Sequence, residues 1–434
     1  MNRILGGLNG CLREGRLAER SPVKCEAFTT RARRNNMLRR SNSSSRNGIL
    51  RSRGGFNVRP QRARAPRSQT RVRYAVVGLG HIAQVAVLPA FKHAAKNSEL
   101  VGLFSDDPKK QKELARKYRV PLVGSYKDYD TCLRNEEIHA VYIAEPNSLH
   151  CDFTVRAANA GVHVLCEKPL AVTAQECRRM IEACRRNRVK LMTAYRLHFE
   201  RSNLEAIKVI QSGKIGGPRY FNSIFSMQAR DGNIRLRKKL GGGTLYDIGI
   251  YCINATRYLF QEEPIEVLAT TASKKDPRFR QVEEMAAATL RFPGERLATF
   301  ICSVGAADAG SYDVVGTEGR LRMKNAYEYV MPITMEVTVK DKTQTREFGK
   351  RDQFAAELIY FSDCVLKNKE PEPSGVEGLN DVRIIQALYE SAKRGRPIKL
   401  SGLKKTKRPS LRQEIRRRPV QKPEVVKAST PSKD

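Results

Sequence analysis

Between residues 74 and 193 short apolar runs alternate with amphipathic stretches. Residues 74–77, 100–104, 140–143, 162–166 and 190–193 read as strands. Apolar positions at helical spacing between them predict helices running to about residue 95, around 110–118, and over 151–160 and 173–187. Strands that alternate with helices of this length form a parallel, doubly wound sheet. After about Arg196 the rhythm changes. Beyond helices near 204–211 and 245–260 come the strand-like runs 220–227, 266–272, 286–292, 297–303 and 334–339, closed by helices near 354–366 and 382–393. These runs read as an antiparallel sheet. The pattern predicts an α/β chain with a doubly wound parallel domain over 73–195 and an α+β domain over 196–400, whose sheet is mainly antiparallel. Residues 1–72 and 401–434 read as disordered basic segments, the first a tail or leader.

Charge sharpens these boundaries. The chain has 434 residues and a net charge of +35. Nineteen Lys and Arg stand against three acids before Tyr74, and eleven against three after Leu400, which leaves about +11 for the middle. Arg416-Arg417-Arg418 and Lys404-Lys405 would attract phosphates, giving salt-dependent, sequence-blind binding. However, the chain has no Trp, its tails hold few aromatics, and no helix-turn-helix, zinc-finger or RNA-recognition pattern occurs. Solvated tails are expected, not a nucleic-acid partner. No apolar stretch is long enough to span a membrane. Arg33-Arg34 is followed by Asn35, Asn36, Arg39 and Arg40 where an export signal needs a hydrophobic run. An acid-poor, Arg- and Ser-rich leader would suit an organellar transit peptide in a eukaryote, and a misplaced start codon would also account for it. The ten cysteines form no C-x-x-C pair and sit mostly among apolar neighbours, as reduced thiols do in the cytoplasm. The six histidines form no H-x-x-x-H pair, and no metal is expected.

Two motifs carry chemistry. The loop Gly78-Leu79-Gly80-His81-Ile82-Ala83 follows a strand and opens a helix. Gly78 and Gly80 allow a tight turn and close approach of backbone N–H groups to a diphosphate at the helix's positive end; Ala83 is a permitted third position. Downstream, Glu167-Lys168-Pro169 ends a strand at the carboxyl edge of the predicted sheet, where open α/β proteins place ligands. Pro169 restricts Lys168 to an extended conformation and makes a cis bond possible. A fixed ammonium there can stabilise an alkoxide during hydride loss. A lone Lys-Pro would read as a surface lysine; the company of the glycine loop points to function. Asp247 and Tyr251 lie four apart in a helical pattern after Gly241-Gly242-Gly243, so they share a face. Nearby cations would favour the phenolate, the form that accepts a proton. Asp247 could equally close a capping box with Thr244.

These residues, with residues 145–150 (Glu-Pro-Asn-Ser-Leu-His), Tyr195-Arg196 and residues 241–251, resemble the Gfo/Idh/MocA oxidoreductase family, and within it the glucose-fructose oxidoreductase branch. The similarity runs from about Tyr74 to about Leu400. It implies a dinucleotide-binding Rossmann domain, a second domain for substrate binding and oligomerisation, and NAD or NADP as hydride carrier. It also implies a sugar or polyol substrate, with dimers or tetramers formed through the open sheet. By resemblance, Tyr251 takes the proton from the anomeric hydroxyl of an aldose, Lys168 polarises that oxygen and Asp247 orients the sugar. The product would be a lactone. Ser105 and Lys110 match the NADP pattern of this branch, although Asp106 stands where it has glycine, so NADP is expected with NAD as the alternative. Besides Gly78, Gly80, His81, Ile82 and Lys168, the resemblance carries Tyr126, Pro146, Asn147, His150, Glu167, Arg196 and Arg235 to the cofactor; His150 also reads as a helix-start histidine. Ile234 stands where the branch has an aromatic residue. Two competing functions are an NAD-dependent glycoside hydrolase of the same family and a non-enzymatic dinucleotide-binding regulator. The trio Lys168, Asp247 and Tyr251 argues against the regulator.

Overall fold

The computed structural model describes residues 70–135 and 137–432. The leader or tail expected at 1–72 lies outside them up to residue 69. Strands β1 (Val72–Val77), β2 (Ser98–Phe104), β3 (Leu122–Gly124), β4 (Ala140–Ile143), β5 (His163–Glu167) and β6 (Leu191–Ala194) form a six-stranded sheet in the order β3-β2-β1-β4-β5-β6. All its pairs are parallel. Its strands are nearly continuous apolar runs because both faces are covered. In β1, Tyr74 and Val76 enter one buried cluster while Ala75 and Val77 enter the cluster on the other face. Helices α1 (Leu88–Ala94), α2 (Pro108–Tyr118), α3 (Tyr129–Asn135), α4 (His150–Asn159) and α5 (Ala174–Arg186) supply the crossovers. α5 starts with the capping box of Thr173 and Glu176.

The second sheet has nine strands in the order β14-β13-β12-β11-β7-β10-β9-β8-β15. In chain order they are β7 (Pro218–Gln228), β8 (Glu266–Ala272), β9 (Met285–Phe292), β10 (Arg296–Ser303), β11 (Gly305–Gly316), β12 (Gly319–Lys324), β13 (Ile333–Val339), β14 (Lys342–Phe348) and β15 (Ile398–Lys399). The sheet is mixed: β10 runs parallel to β7, and its other pairs are antiparallel. Helices α6 (Arg201–Gln211) and α7 (Ile250–Phe260) cover one face, with core residues such as Ile207, Ile253 and Leu259 packed against Phe221, Phe300 and Val314. On the other face the parallel register aligns exposed Tyr220 with Leu297 and exposed Ile224 with Ile301.

Two features depart from the sequence reading. Helix α8 (Gln353–Leu366), assigned to the second domain, packs on the first domain's sheet, while α9 (Gly375–Arg394) bridges α5 and β8. Phe354, Leu358, Phe361 and Val365 recur at helical spacing and enter the same buried cluster as Tyr74 and Val76. Burying such a side chain contributes about 2 kcal/mol. Ser362 Oγ lies 2.8 Å from Tyr74 Oη, and Asn97 Nδ2 donates to Asp363 Oδ1 over 2.9 Å.

The segment after Leu400 is also not a solvated tail: residues 401–432 run as a strap across both domains. Leu403 and Leu411 pack against the core of the second domain, and Ile415 and Val426 against the first. Arg408, nearly buried, pairs with Glu263 at 2.7 Å and Glu377 at 3.5 Å. The folded domains supply acids and apolar seats at intervals that the strap's own composition does not reveal.

Candidate active site

The glycine loop and the strand-end lysine meet at a cavity of about 540 Å³ between the two domains, a volume that suits a small-molecule site. Gly80, His81, Ile82, Lys110, Asn147, Glu167, Lys168, Arg196, Arg235, Asp247 and Tyr251 all line it. Gly78 sits just beneath, at φ 90°, where a Cβ would lie 2.6 Å from Ala144 O. That close approach requires glycine. A Cβ on Gly80 would meet nothing within 4 Å, so its Cα face is left open.

Opposite the glycine loop, Gly241 and Gly243 (φ 79° and 137°) let the chain pass close to Asn147 and Tyr389 before the helix. The first helical residues, Leu245–Gly249, form a π-turn that runs into α7, and Ala83–Val87 forms another before α1. Such turns recur at functional sites. The capping box proposed for Thr244 and Asp247 is absent: Glu283 Oε1 accepts from Thr244 N, and Thr244 Oγ1 donates to Glu283 O. The Asp247 carboxylate instead faces two cations. Arg235 Nε donates to its Oδ2 over 2.6 Å, and Lys168 Nζ lies 3.5 Å from its Oδ1. Burial opposes ionisation of Asp247, but Arg235 and Lys168 outweigh it and hold the carboxyl below the ordinary aspartate range.

Lys168 therefore has a fixed place. Its ammonium donates to Asp247 O over 2.7 Å and sits 4.8 Å from the centre of the Tyr251 ring. The Lys168–Pro169 peptide is cis. Tyr251 packs edge-on against Phe225, with ring centres 5.5 Å apart, and the Arg196 guanidinium lies 5.1 Å from its ring centre. One ammonium thus touches both partners that the helical spacing places on a common face. Glu167 accepts from Tyr142 Oη over 2.8 Å and from Lys168 N over 3.2 Å. Burial raises its carboxyl above the usual range despite Lys168.

The other expected cofactor residues differ in their access to the cavity. Arg196 reaches the cavity but is buried, bonded to Tyr327 O and Gln353, and wedged between the rings of Tyr251 and Tyr329. It braces the aromatic wall. His150 does not line the cavity: fully buried, it has ring nitrogens 2.8 Å from Pro169 O and 2.9 Å from Glu145 O, and ties those two turns together. Ser105, Tyr126 and Pro146 are also outside the lining. The buried Ser105 hydroxyl accepts from Asp107 N over 3.2 Å. The two acids after β2 have backbone partners. Asp106 Oδ1 accepts from Tyr126 N at 2.9 Å; Asp107 Oδ1 caps α2 by accepting from Lys109 N at 3.0 Å and Lys110 N at 3.2 Å.

Sequence reasoning missed Phe225, Met227, Asp308, Tyr327 and Tyr329 in the lining, and the strap residues Lys427, Ala428, Ser429, Pro431 and Ser432 that reach it. Tyr327 and Tyr329 fall in the turn between β12 and β13, where no local sequence pattern points them at the cavity.

Fold and cavity define a two-domain, dinucleotide-binding oxidoreductase. The chain belongs to the Gfo/Idh/MocA oxidoreductase family: its "NAD-binding Rossmann fold" pattern matches residues 72–195 and its "C-terminal alpha/beta domain" pattern residues 207–400. It is 30% identical over 354 residues to D-xylose 1-dehydrogenase (NADP(+)) of Haloarcula marismortui, covering 80% of this chain and 98% of that protein. Among solved structures it is similar to aldose-aldose oxidoreductase from Caulobacter crescentus complexed with glycerol, at TM-score 0.73 and 37% identity, covering 76% of this chain and all of that one. It is also similar to KijD10, a 3-ketoreductase from Actinomadura kijaniata in complex with NADP and TDP-benzene, at TM-score 0.68 and 25% identity over 74% of this chain and 98% of that one.

Proposed function

We propose that the protein oxidises carbon 1 of an aldose to a lactone with NADP as hydride acceptor. The observation that carries this reading is the shared ammonium: Lys168 is fixed by Asp247 and sits over Tyr251 on the wall of one cavity with the open glycine loop. The residues fit a dinucleotide. Gly80 leaves room for a diphosphate, and the atoms His81 Nδ1 and Glu145 Oε1, on residues lining the cavity, are buried with no hydrogen-bond partner among the described residues. Both acids after β2 already accept from backbone N–H groups, which weakens their claim on a ribose hydroxyl and favours NADP over NAD. The similarity to the NADP-named xylose dehydrogenase and to the aldose-aldose oxidoreductase supports the sugar and the cofactor.

When bound, the nicotinamide supplies the hydride acceptor. Lys168 holds the reacting oxygen, and Asp247 with Arg235 keeps that ammonium in place. Tyr251, with cations against its ring, accepts the hydroxyl proton. The exposed ladder of Tyr220, Ile224, Leu297 and Ile301 supports self-association through the open sheet face. Replacing Tyr251 by Phe and following cofactor reduction under saturating aldose tests the mechanism. A loss of about a hundredfold or more in kcat is expected; an unchanged kcat removes Tyr251 from it.

A further inference from the structure

We infer that residues 422–432 of the strap are part of the dinucleotide site, and that Lys427 serves as a binding residue for the 2′-phosphate of NADP. This rests on the NADP reading above.

The strap is fastened on both sides of the crevice. On the Rossmann side, Val426 N donates to Gln84 Oε1 over 2.7 Å and Gln84 Nε2 donates to Val426 O over 2.9 Å, so a buried glutamine pairs with the strap as a second strand would. The same amide donates to Leu79 O over 2.9 Å, which joins the strap to the glycine loop itself. Lys117 Nζ donates to Glu424 O over 2.9 Å at the end of α2. On the other side, Ser432 bridges Ala229 in antiparallel fashion just past β7, and Arg230 N donates to Pro431 O over 3.0 Å. Between these anchors Lys427, Ala428 and Ser429 line the same cavity as Gly80 and Lys168. A dinucleotide in that cavity lies under the strap.

Lys427 is placed for a particular group. Its ammonium lies 3.3 Å from Asp107 Oδ2, at the start of α2 and just beyond β2, the strand end that meets the adenosine ribose in this fold. Lys110, on the first turn of α2, lines the same cavity. Two ammonium groups from separate segments therefore face the position where NADP carries a phosphate and NAD a hydroxyl. Lys427 also has φ 45°, a left-handed conformation that few non-glycine residues adopt.

The test compares the intact chain, Lys427→Ala and a chain ending after Arg418, without sugar, by NADPH and NADH fluorescence titration and by release of NADPH into excess NADP. Lys427→Ala is expected to weaken NADPH about tenfold and NADH less than about twofold. The shortened chain is expected to release NADPH about tenfold faster or more. Unchanged NADPH affinity in Lys427→Ala, an equal loss for both dinucleotides, or unchanged release from the shortened chain would overturn the inference while leaving the NADP reading standing. An intact chain that binds neither dinucleotide would overturn both.

Discussion

Glu145 lines the cavity beside the glycine loop, one residue after the Ala144 carbonyl that Gly78 approaches. Burial raises its carboxyl from an ordinary 4.5 to about 7, a shift that Asp106 reinforces and that the Tyr126 phenol and Lys110 only partly oppose. Such a shift is worth about 3 kcal/mol between the two protonation states. The sign follows from proton counting: between the two values the folded protein keeps a proton that the unfolded chain has lost. This contribution to stability is complete below about pH 4.5 and is lost as pH rises through about 7. Glu145→Gln has no proton to lose. Relative to wild type, the variant should gain about 1.4 kcal/mol per pH unit across that window, reaching about 3 kcal/mol above it. A diphosphate approaching this carboxyl favours its protonated form, so wild-type NADPH affinity should also fall as pH passes through 7 and the variant's should not. Chemical-denaturation midpoints and NADPH titrations across that range read both effects. A stability difference between variant and wild type that does not change with pH would refute the reasoning.

The two loop glycines separate folding from binding. Gly80→Ala should leave the melting temperature nearly unchanged and abolish most dinucleotide binding, because its methyl group would enter only the open cradle. Gly78→Ala, at φ 90° and 2.6 Å from Ala144 O, should cost about 3 kcal/mol or more of stability, read by urea denaturation; equal effects at both positions would contradict these roles. For the open sheet face, Ile301→Lys should lower the solution mass to that of one chain by light scattering, since it places a charge in the ladder with Ile224. An unchanged mass would mean that this face is not the contact.

The elements that the sequence made legible are those whose burial is two-sided and local. The continuous apolar runs of β1, β4 and β5 stand out because both faces of that sheet are covered, and the spacing of α2 and α5 because each buries one stripe. β11 went unread over its first half, where Gly305-Ala306-Ala307-Asp308-Ala309-Gly310 has no strand-forming side chains, and its second half, with Tyr312, Val314 and Val315, is too short a run to stand out before tertiary pairing with β7. β14 was hidden for the opposite reason, being an exposed edge strand of mostly polar residues. The same limit applied at the site. Lys168 and Tyr251 were readable because each follows a local rule, a strand end and a helical repeat. The bracing roles of His150 and Arg196 depend on Pro169, Glu145 and Gln353, which local spacing does not connect.

The strap changes what the chain's positive charge means. Read along the sequence, the excess after Leu400 is a solvated run; in the fold, part of it is neutralised by Glu262, Glu263 and Glu377, and Lys427 is delivered to the cavity. There it joins Lys110, Lys168 and Arg235. Three of the five acids that line the same cavity are subdued by different means: Asp247 remains ionised but is paired with two cations, while burial pushes Glu145 and Glu167 toward their neutral forms. The cavity wall is therefore more cationic than a count of its carboxylates implies. A wall of that sign favours a ligand with several phosphates and steers its approach. The proposed roles of the cations divide in the same way: most of the surrounding charge is directed at the polyanion, while Asp247 holds Lys168 in place beside Tyr251.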